Sequence, residues 1–359
     1  MSSRAPAARR AKHTVAVTGA ASGVGAAVLQ ALAGSDGTKL VAIDERRGDA
    51  SLGTWRIADV RDPAFAAKLT GVDVLVHLAQ ELRLDAPSAQ RRALNVRGTS
   101  VALTAAAASG VKKVVLVTSA MVYGARDDNP VPLTEAAPLR ANPDDSLIGD
   151  WVEIERSVRR AEGAHPWLEI VTLRPATVVG PGVDSVITRH FESPRLLVLK
   201  GCTPLWQFCH VDDLVRAVVV AATTDVGRGP LNVAAAGSLT QGDVERISGK
   251  RHMELPPAVA FGTLERLHRV GATPATSQEL EFLAYPWVVG TDKLSAAGWT
   301  AAYDNEASLQ TLLDEARRHL AVGARRLDRK DATRAAAGAT VALVATAALA
   351  RRARKRRRG

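Results

Sequence analysis

From residue 14 to about 173, short runs of β-branched residues alternate with longer alanine-rich stretches. The apolar runs cover residues 14–18, 39–43, 72–78, 113–118 and 168–173. They are continuous rather than alternating, as strands buried on both faces require. Between them the spacing predicts helices over 23–33, 63–69, 87–109 and 146–163. Strand, helix, strand at this interval builds βαβ units, so the predicted fold class is α/β with a doubly wound parallel sheet. Further on, Pro175, Pro181, Pro194 and Pro204 break the chain before a helix predicted at 211–223. A strand at 231–233 follows, then helices at 241–247, 258–270 and 307–322. This part reads as a smaller lobe resting on the carboxyl edge of the sheet, where ligands of such sheets bind.

Charge alters the picture only once it is located. The 359 residues carry 47 basic and 37 acidic side chains, net +10. Twelve of the Lys/Arg, against two Asp, fall in 321–359, and four more fall in 1–13. Residues 14–320 therefore hold 31 basic and 35 acidic side chains, net −4. A folded nucleic-acid face needs clustered surface cations, so no specific nucleic-acid partner is expected. Cys202 and Cys209 cannot make a disulfide scaffold, and the eight histidines lack ligand spacing. Free thiols, no metal and a cytoplasmic location are the expectation.

The first strand leads through Thr18-Gly19-Ala20-Ala21-Ser22-Gly23-Val24-Gly25 directly into a helical pattern. Glycine lets the backbone turn tightly and approach a pyrophosphate without a Cβ collision. The free N–H groups and positive dipole end of the helix then hold the anion. Asp44 closes the second strand 19 residues after Gly25, where a carboxylate accepts both hydroxyls of an adenosine ribose. Strand, loop, helix and acid together predict a Rossmann-type dinucleotide site with Gly19, Ala21, Ser22, Gly23, Val24, Gly25 and Asp44 around the ligand. Asp44 would repel a 2′-phosphate, which favours NAD over NADP, although Arg46 and Arg47 stand close enough in sequence to pair with one. Asp59 and Val60, after the third strand, are placed to meet the adenine, or else form an exposed loop.

A longer ordered set of motifs accompanies this loop. It comprises Val76-His77-Leu78-Ala79, Asn95-Val96-Arg97-Gly98-Thr99 and Val117-Thr118-Ser119-Ala120-Met121-Val122-Tyr123-Gly124. Leu173-Arg174-Pro175-Ala176-Thr177-Val178-Val179-Gly180-Pro181-Gly182, Phe208-Cys209-His210-Val211-Asp212-Asp213-Leu214 and Leu231-Asn232-Val233 complete it. Over roughly residues 14–300 the chain resembles the extended short-chain dehydrogenase/reductase superfamily, in its NAD-dependent epimerase/dehydratase branch. One detail departs: that branch usually has its middle glycine where Ser22 stands. The resemblance implies a small-molecule substrate and hydride transfer to a nicotinamide dinucleotide. It places Leu78, Ala79, Thr118 and Pro175 at the cofactor, Ser119 as the residue orienting the substrate oxygen, and Asn95 in support. The expected organisation is a basic leader (1–13), an NAD(P)-binding domain (14–175), a substrate lobe interleaved with it (176–320) and a basic tail (321–359).

The family's acid/base pair, a tyrosine four residues before a lysine, is absent. Counting back from Glu155 puts Leu147 and Trp151 at the two positions. No misalignment restores them, because Tyr123, Tyr285 and Tyr303 are each followed four residues later by a residue other than lysine, and no lysine lies between Lys113 and Lys200. A free phenol, with a pKa near ~10, is a poor base without a cation beside it. Asp144, Asp145, Asp150, Glu153 and Glu155 read as a solvated loop and helix face, with a buried carboxylate base as the alternative. His77 and His210 are expected to donate structural hydrogen bonds, and Tyr123 to serve structure.

Residues 335–350 are sixteen uncharged residues, nine of them alanine, followed by a run of arginines and lysines. As a helix they would reach about 24 Å, short of a ~30 Å hydrocarbon core. A helix lying on an anionic membrane surface fits 335–359 better than a span, and would make the protein peripheral. A homodimer stays open. Three functional readings follow: an NAD-binding protein without standard hydride transfer that senses cofactor or binds a partner; an active oxidoreductase or epimerase on a nucleotide sugar or hydrophobic alcohol with a non-standard acid/base; and a membrane-associated scaffold.

Overall fold

The structure is a computed structural model that describes residues 13–35, 37–270, 276–322 and 325–328. β1 (His13–Thr18) runs up the middle of a parallel sheet and enters α1 (Gly23–Ala33) through the glycine loop. β2 (Thr38–Asp44), β3 (Thr54–Ile57), β4 (Val74–His77), β5 (Lys113–Val117) and β6 (Glu169–Pro175) follow. Pro63–Leu69, expected as an α-helix, is a tighter 3₁₀ segment capped by Asp62. The helix expected over 87–109 is divided into α2 (Ser88–Arg92), a π-helical turn (Ala93–Gly98) and α3 (Thr99–Ala108). Inserted π turns of this kind recur at functional sites, and this one contains Asn95. α4 (Leu147–Ala164) is capped by the Ser146 hydroxyl.

The chain then builds the smaller lobe. β7 (Thr177–Val179), α5 (Val186–Glu192), β8 (Leu196–Leu199), β9 (Leu205–Trp206) and β10 (Phe208–His210) precede α6 (Val211–Thr223). β11 (Gly229–Val233) returns to the main sheet beside β6. β12 (Leu239–Thr240), α7 (Gln241–Ser248), β13 (His252–Leu255), α8 (Pro257–Arg269), α9 (Ser277–Glu281), α10 (Asp292–Ala296) and α11 (Asn305–Ala316) follow, α10 setting Leu294 in the core of the main sheet and the others completing the lobe. Its core gathers Phe191, Trp206, Phe208, Phe282 and Trp287. The helix predicted over 307–322 stops at Ala316; β14 (His319–Val322) and β15 (Arg325–Asp328) pair antiparallel instead. The expected basic tail therefore begins within a hairpin. Of the expected leader (1–13), residues 1–12 lie outside the described residues, as does the alanine-rich segment at 335–350, while His13 already opens β1. Among those described, no helix is long and apolar enough to cross a membrane.

The seven strands stand in the order β11-β6-β5-β4-β1-β2-β3, all parallel. Alternate residues of each strand face opposite layers. Val15 and Val17 join Val28 and Leu29 of α1 and Leu214 and Val218 of α6 in one core. Ala16, Val41 and Ile43 join Ala102, Leu103 and Ile154 from α3 and α4 in the other. Register brings Thr18 level with Ile43 and His77, and Val117 level with Leu173. The loops after β1, β2, β4, β5 and β6 thus meet at one edge.

Candidate cofactor site

Two glycines of the loop are forced by geometry. Gly19 sits at φ +67°, and a Cβ there would lie 2.7 Å from the Leu78 carbonyl oxygen. A Cβ on Gly25 would lie 2.0 Å from the Gly19 carbonyl oxygen, so α1 can start this close to β1 only with glycine. Ser22 occupies the N-cap of α1 yet supplies no capping hydrogen bond, and no acidic side chain stands in the first turn. The first N–H groups of α1 are left for an external acceptor, the condition for anion binding. Asp44 accepts from the Ala21 N–H at 3.1 Å and from the Arg46 N–H at 3.1 Å, which ties the acid to the loop it serves.

Behind the loop runs a buried chain of hydroxyls through His77. The Thr18 Oγ1 accepts from the Leu78 and Ala79 N–H groups at 3.0 and 3.2 Å and lies 2.9 Å from His77 Nδ1. His77 Nε2 lies 3.1 Å from the Thr99 hydroxyl, which donates to the Asn95 carbonyl. Each hydroxyl has one proton, so Thr18 donates to Nδ1 and His77 donates from Nε2. Burial lowers the His77 pKa to about 4, and the ring is neutral at physiological pH. His77 thus donates one structural hydrogen bond and accepts another.

Asp59, at the end of the segment after β3, is held below the usual carboxylate range by its hydrogen bonds from Arg61. Val60 packs in the core beside Gly98. Leu78 and Ala79 are half-buried, and Pro175 is buried at the end of β6. Ser119 follows β5; its Oγ accepts from the Met121 N–H at 3.2 Å, which leaves the hydroxyl proton to donate elsewhere. The buried Thr118 hydroxyl donates to Glu155 at 2.9 Å.

Leu147 is buried, and Trp151 is half-buried against both cores. The indole N–H of Trp151 faces Gln80 Oε1 at 3.4 Å, and Gln80 Nε2 donates to the Val117 carbonyl at 2.8 Å. The expected solvated acidic face is corrected at two positions. Asp150 is fully buried and takes Arg91 at 2.9 Å and Asn95 Nδ2 at 3.2 Å. Its burial pushes the carboxyl pKa up, and Arg91 opposes that. Glu155 is buried in a two-pronged pair with Arg174, at 2.8 and 2.7 Å. Helix periodicity concealed both, because their arginines arrive from distant segments. Asn95 grips the main chain of Glu81 at N–H and C=O, at 2.8 and 3.0 Å. Gln80 was not singled out in the sequence; a polar residue immediately after the strand-end Leu78-Ala79 was the available signal.

Tyr123 is fully buried, donating to Asn232 and accepting from Arg174, each at 2.9 Å. His210 caps α6 by accepting from the Asp212 N–H and stacks on Tyr303 with centroids 3.7 Å apart. Cys202 and Cys209 are free thiols, and among the described residues no cluster could hold a metal ion.

Glu279, on α9, closes a capping box with Thr276, and burial raises its pKa to about 7. The native pKa lies above the unfolded value of 4.5, so the protonated form favours the fold. This contribution is complete below pH 4.5 and is lost as pH rises through 7. Glu279→Gln is expected to flatten the fall of melting temperature between about pH 5 and 8. An unaltered slope in that window would contradict the assignment.

A parallel seven-stranded sheet with the glycine loop at its point of reversal defines a Rossmann-type protein. A family model, NAD dependent epimerase/dehydratase family, matches residues 15–234, and the chain belongs to that family. An uncharacterised protein of Mycobacterium tuberculosis (strain ATCC 25618 / H37Rv) is 28% identical over 245 residues, 66% of this chain and 64% of that one. The chain thus spans just under two thirds of that relative's length. UDP-glucose 4-epimerase 4 of Oryza sativa subsp. japonica is 35% identical over 158 residues, 38% of this chain and 42% of its own. Among solved structures, MoeE5 in complex with UDP-glucuronic acid and NAD superimposes with a TM-score of 0.62 at 22% identity, covering 85% of this chain and 99% of that one.

Proposed function

We propose that this chain binds NAD without performing the family's tyrosine–lysine hydride transfer, and acts as a cofactor-sensing or partner-binding member of the family. The observation that carries this reading is the pair Leu147 and Trp151. One has no exchangeable proton and the other no charge, and both are packed. The nearest buried carboxylates give no substitute base, because Asp150 and Glu155 are each committed to an arginine.

The residues present fit the adenosine diphosphate of NAD. The cradle at Gly19 and Gly25 is one a Cβ would fill, and the start of α1 is uncapped. The first-turn N–H groups would hold the pyrophosphate, and Asp44 the ribose hydroxyls. When bound, NAD supplies a hydride acceptor at its nicotinamide. The Ser119 hydroxyl keeps a proton to donate, with no acid/base partner here to move one.

Calorimetry with NAD and NADP, followed by nicotinamide absorbance over a panel of nucleotide sugars and alcohols, tests this. Binding of NAD without turnover is expected. Asp44→Asn should weaken NAD about 10- to 100-fold, the worth of hydrogen bonds to a charged group, and narrow its advantage over NADP. A second reading, an active enzyme on a nucleotide sugar, draws support from the Ser119 hydroxyl and from the UDP-sugar carried by MoeE5. Turnover abolished by Ser119→Ala would establish it and overturn the first.

A further inference from the structure

A dinucleotide on a doubly wound sheet straddles the point where strand order reverses, with one mononucleotide half over each wing. Here the reversal lies between β1 and β4, with β2 and β3 on one side and β5, β6 and β11 on the other. The two wings differ in this chain. Over β1–β3 stand the glycine cradle, the uncapped start of α1 and Asp44. Over β4–β6 a side-chain strap ties the ends of two neighbouring strands to α4. Gln80, just past β4, donates to the Val117 carbonyl at the end of β5 and accepts from Trp151 of α4.

The strap is anchored from behind. Asn95 holds both backbone groups of Glu81, the next residue. Asp150 accepts from the Asn95 amide, which fixes which end of that amide faces which neighbour, and Arg91 holds Asp150. Three side chains, from the π turn and two helices, thus set the backbone from which Gln80 reaches. Trp151 contributes a bulky ring packed against both cores, where a slender lysine would leave room.

We propose that the site reads only the adenosine diphosphate part of its ligand, the Gln80–Trp151 strap closing the half that would receive the second riboside. The ligand class is an ADP-containing nucleotide with a free 2′-hydroxyl, bound alike with or without nicotinamide and in either redox state. This rests on the reading of the glycine cradle as a nucleotide site. It adds that the protein responds to how much such nucleotide is present, and not to whether a nicotinamide is oxidised or reduced.

Calorimetry on the full chain with ADP-ribose, NAD⁺, NADH and nicotinamide mononucleotide decides the matter. ADP-ribose, NAD⁺ and NADH are expected to bind within about threefold of one another, and the mononucleotide not at all. NAD⁺ or NADH tighter than ADP-ribose by about tenfold or more would overturn the strap while leaving the cradle in place. Failure of all three adenosine nucleotides to bind would overturn both. In Gln80→Gly/Trp151→Ala the preference for NAD⁺ over ADP-ribose should rise at least about fivefold. If that variant does not fold, Gln80→Ala, which removes both hydrogen bonds and spares the Trp151 packing, is expected to shift the same ratio in the same direction. An unchanged ratio in a folded variant would refute the role given to these two side chains.

Discussion

Gly25→Ala is expected to abolish nucleotide binding and to destabilise the protein by about 3 kcal/mol or more, the upper range for overpacking a rigid site. The added methyl would sit 2.0 Å from the Gly19 carbonyl oxygen, a backbone atom. Gly19 cannot retreat, because its own Cβ position is already 2.7 Å from the Leu78 carbonyl oxygen on the next strand-end. The start of α1 would have to lift off β1, displacing the first-turn N–H groups proposed to hold the pyrophosphate. Gly23→Ala is the contrasting case. Gly23 has φ +57° with nothing near its Cβ position, so only left-handed backbone strain of about 1–2 kcal/mol is incurred. Urea unfolding and calorimetry on the two variants check the difference; a Gly25→Ala protein as stable as the parent would rule out this account of the loop.

Arg174→Met should cost about 3–5 kcal/mol, the usual result of removing one member of a buried ion pair. Arg174 and Glu155 are 6% and 5% exposed, and the guanidinium also donates to Tyr123, whose hydroxyl reaches Asn232 of β11. Removing the cation strands a carboxylate between α4 and β6 and loosens the strand-end carrying Thr118. The double variant Glu155→Leu/Arg174→Met is expected to lose much less, because no unpaired charge remains. Equal losses in the single and double variants, measured by urea unfolding, would mean that packing rather than charge pairing dominates here.

The sheet and α1 were legible because their signals are local. A strand buried on both faces must be apolar throughout, and a glycine loop must precede its helix directly. The helix predicted over 23–33 and that over 211–223 agree with α1 and α6. The end of the 307–322 helix was misplaced because 319–322 pair with 325–328, a contact that helical periodicity does not register. β3 is short and lies at the sheet's edge, and so carries little apolar pattern.

At the site, the division falls between residue identity and partnership. The amino-acid order by itself determined that a glycine loop joins β1 to α1 with Asp44 at the end of β2 and that no tyrosine–lysine pair stands on α4, since both are statements about which residues occur at which spacing. Only the tertiary structure decided that Asp150 and Glu155 are neutralised in the interior, that His77 is locked neutral between two threonines, and that Gln80 meets Trp151 across the strand ends. Those partners are separated by 22 to 71 positions except for the Glu155–Arg174 pair at 19. Hydrogen bonds and ion pairs act over a few ångströms, so such contacts come into being only when the folded sheet carries distant segments to one edge.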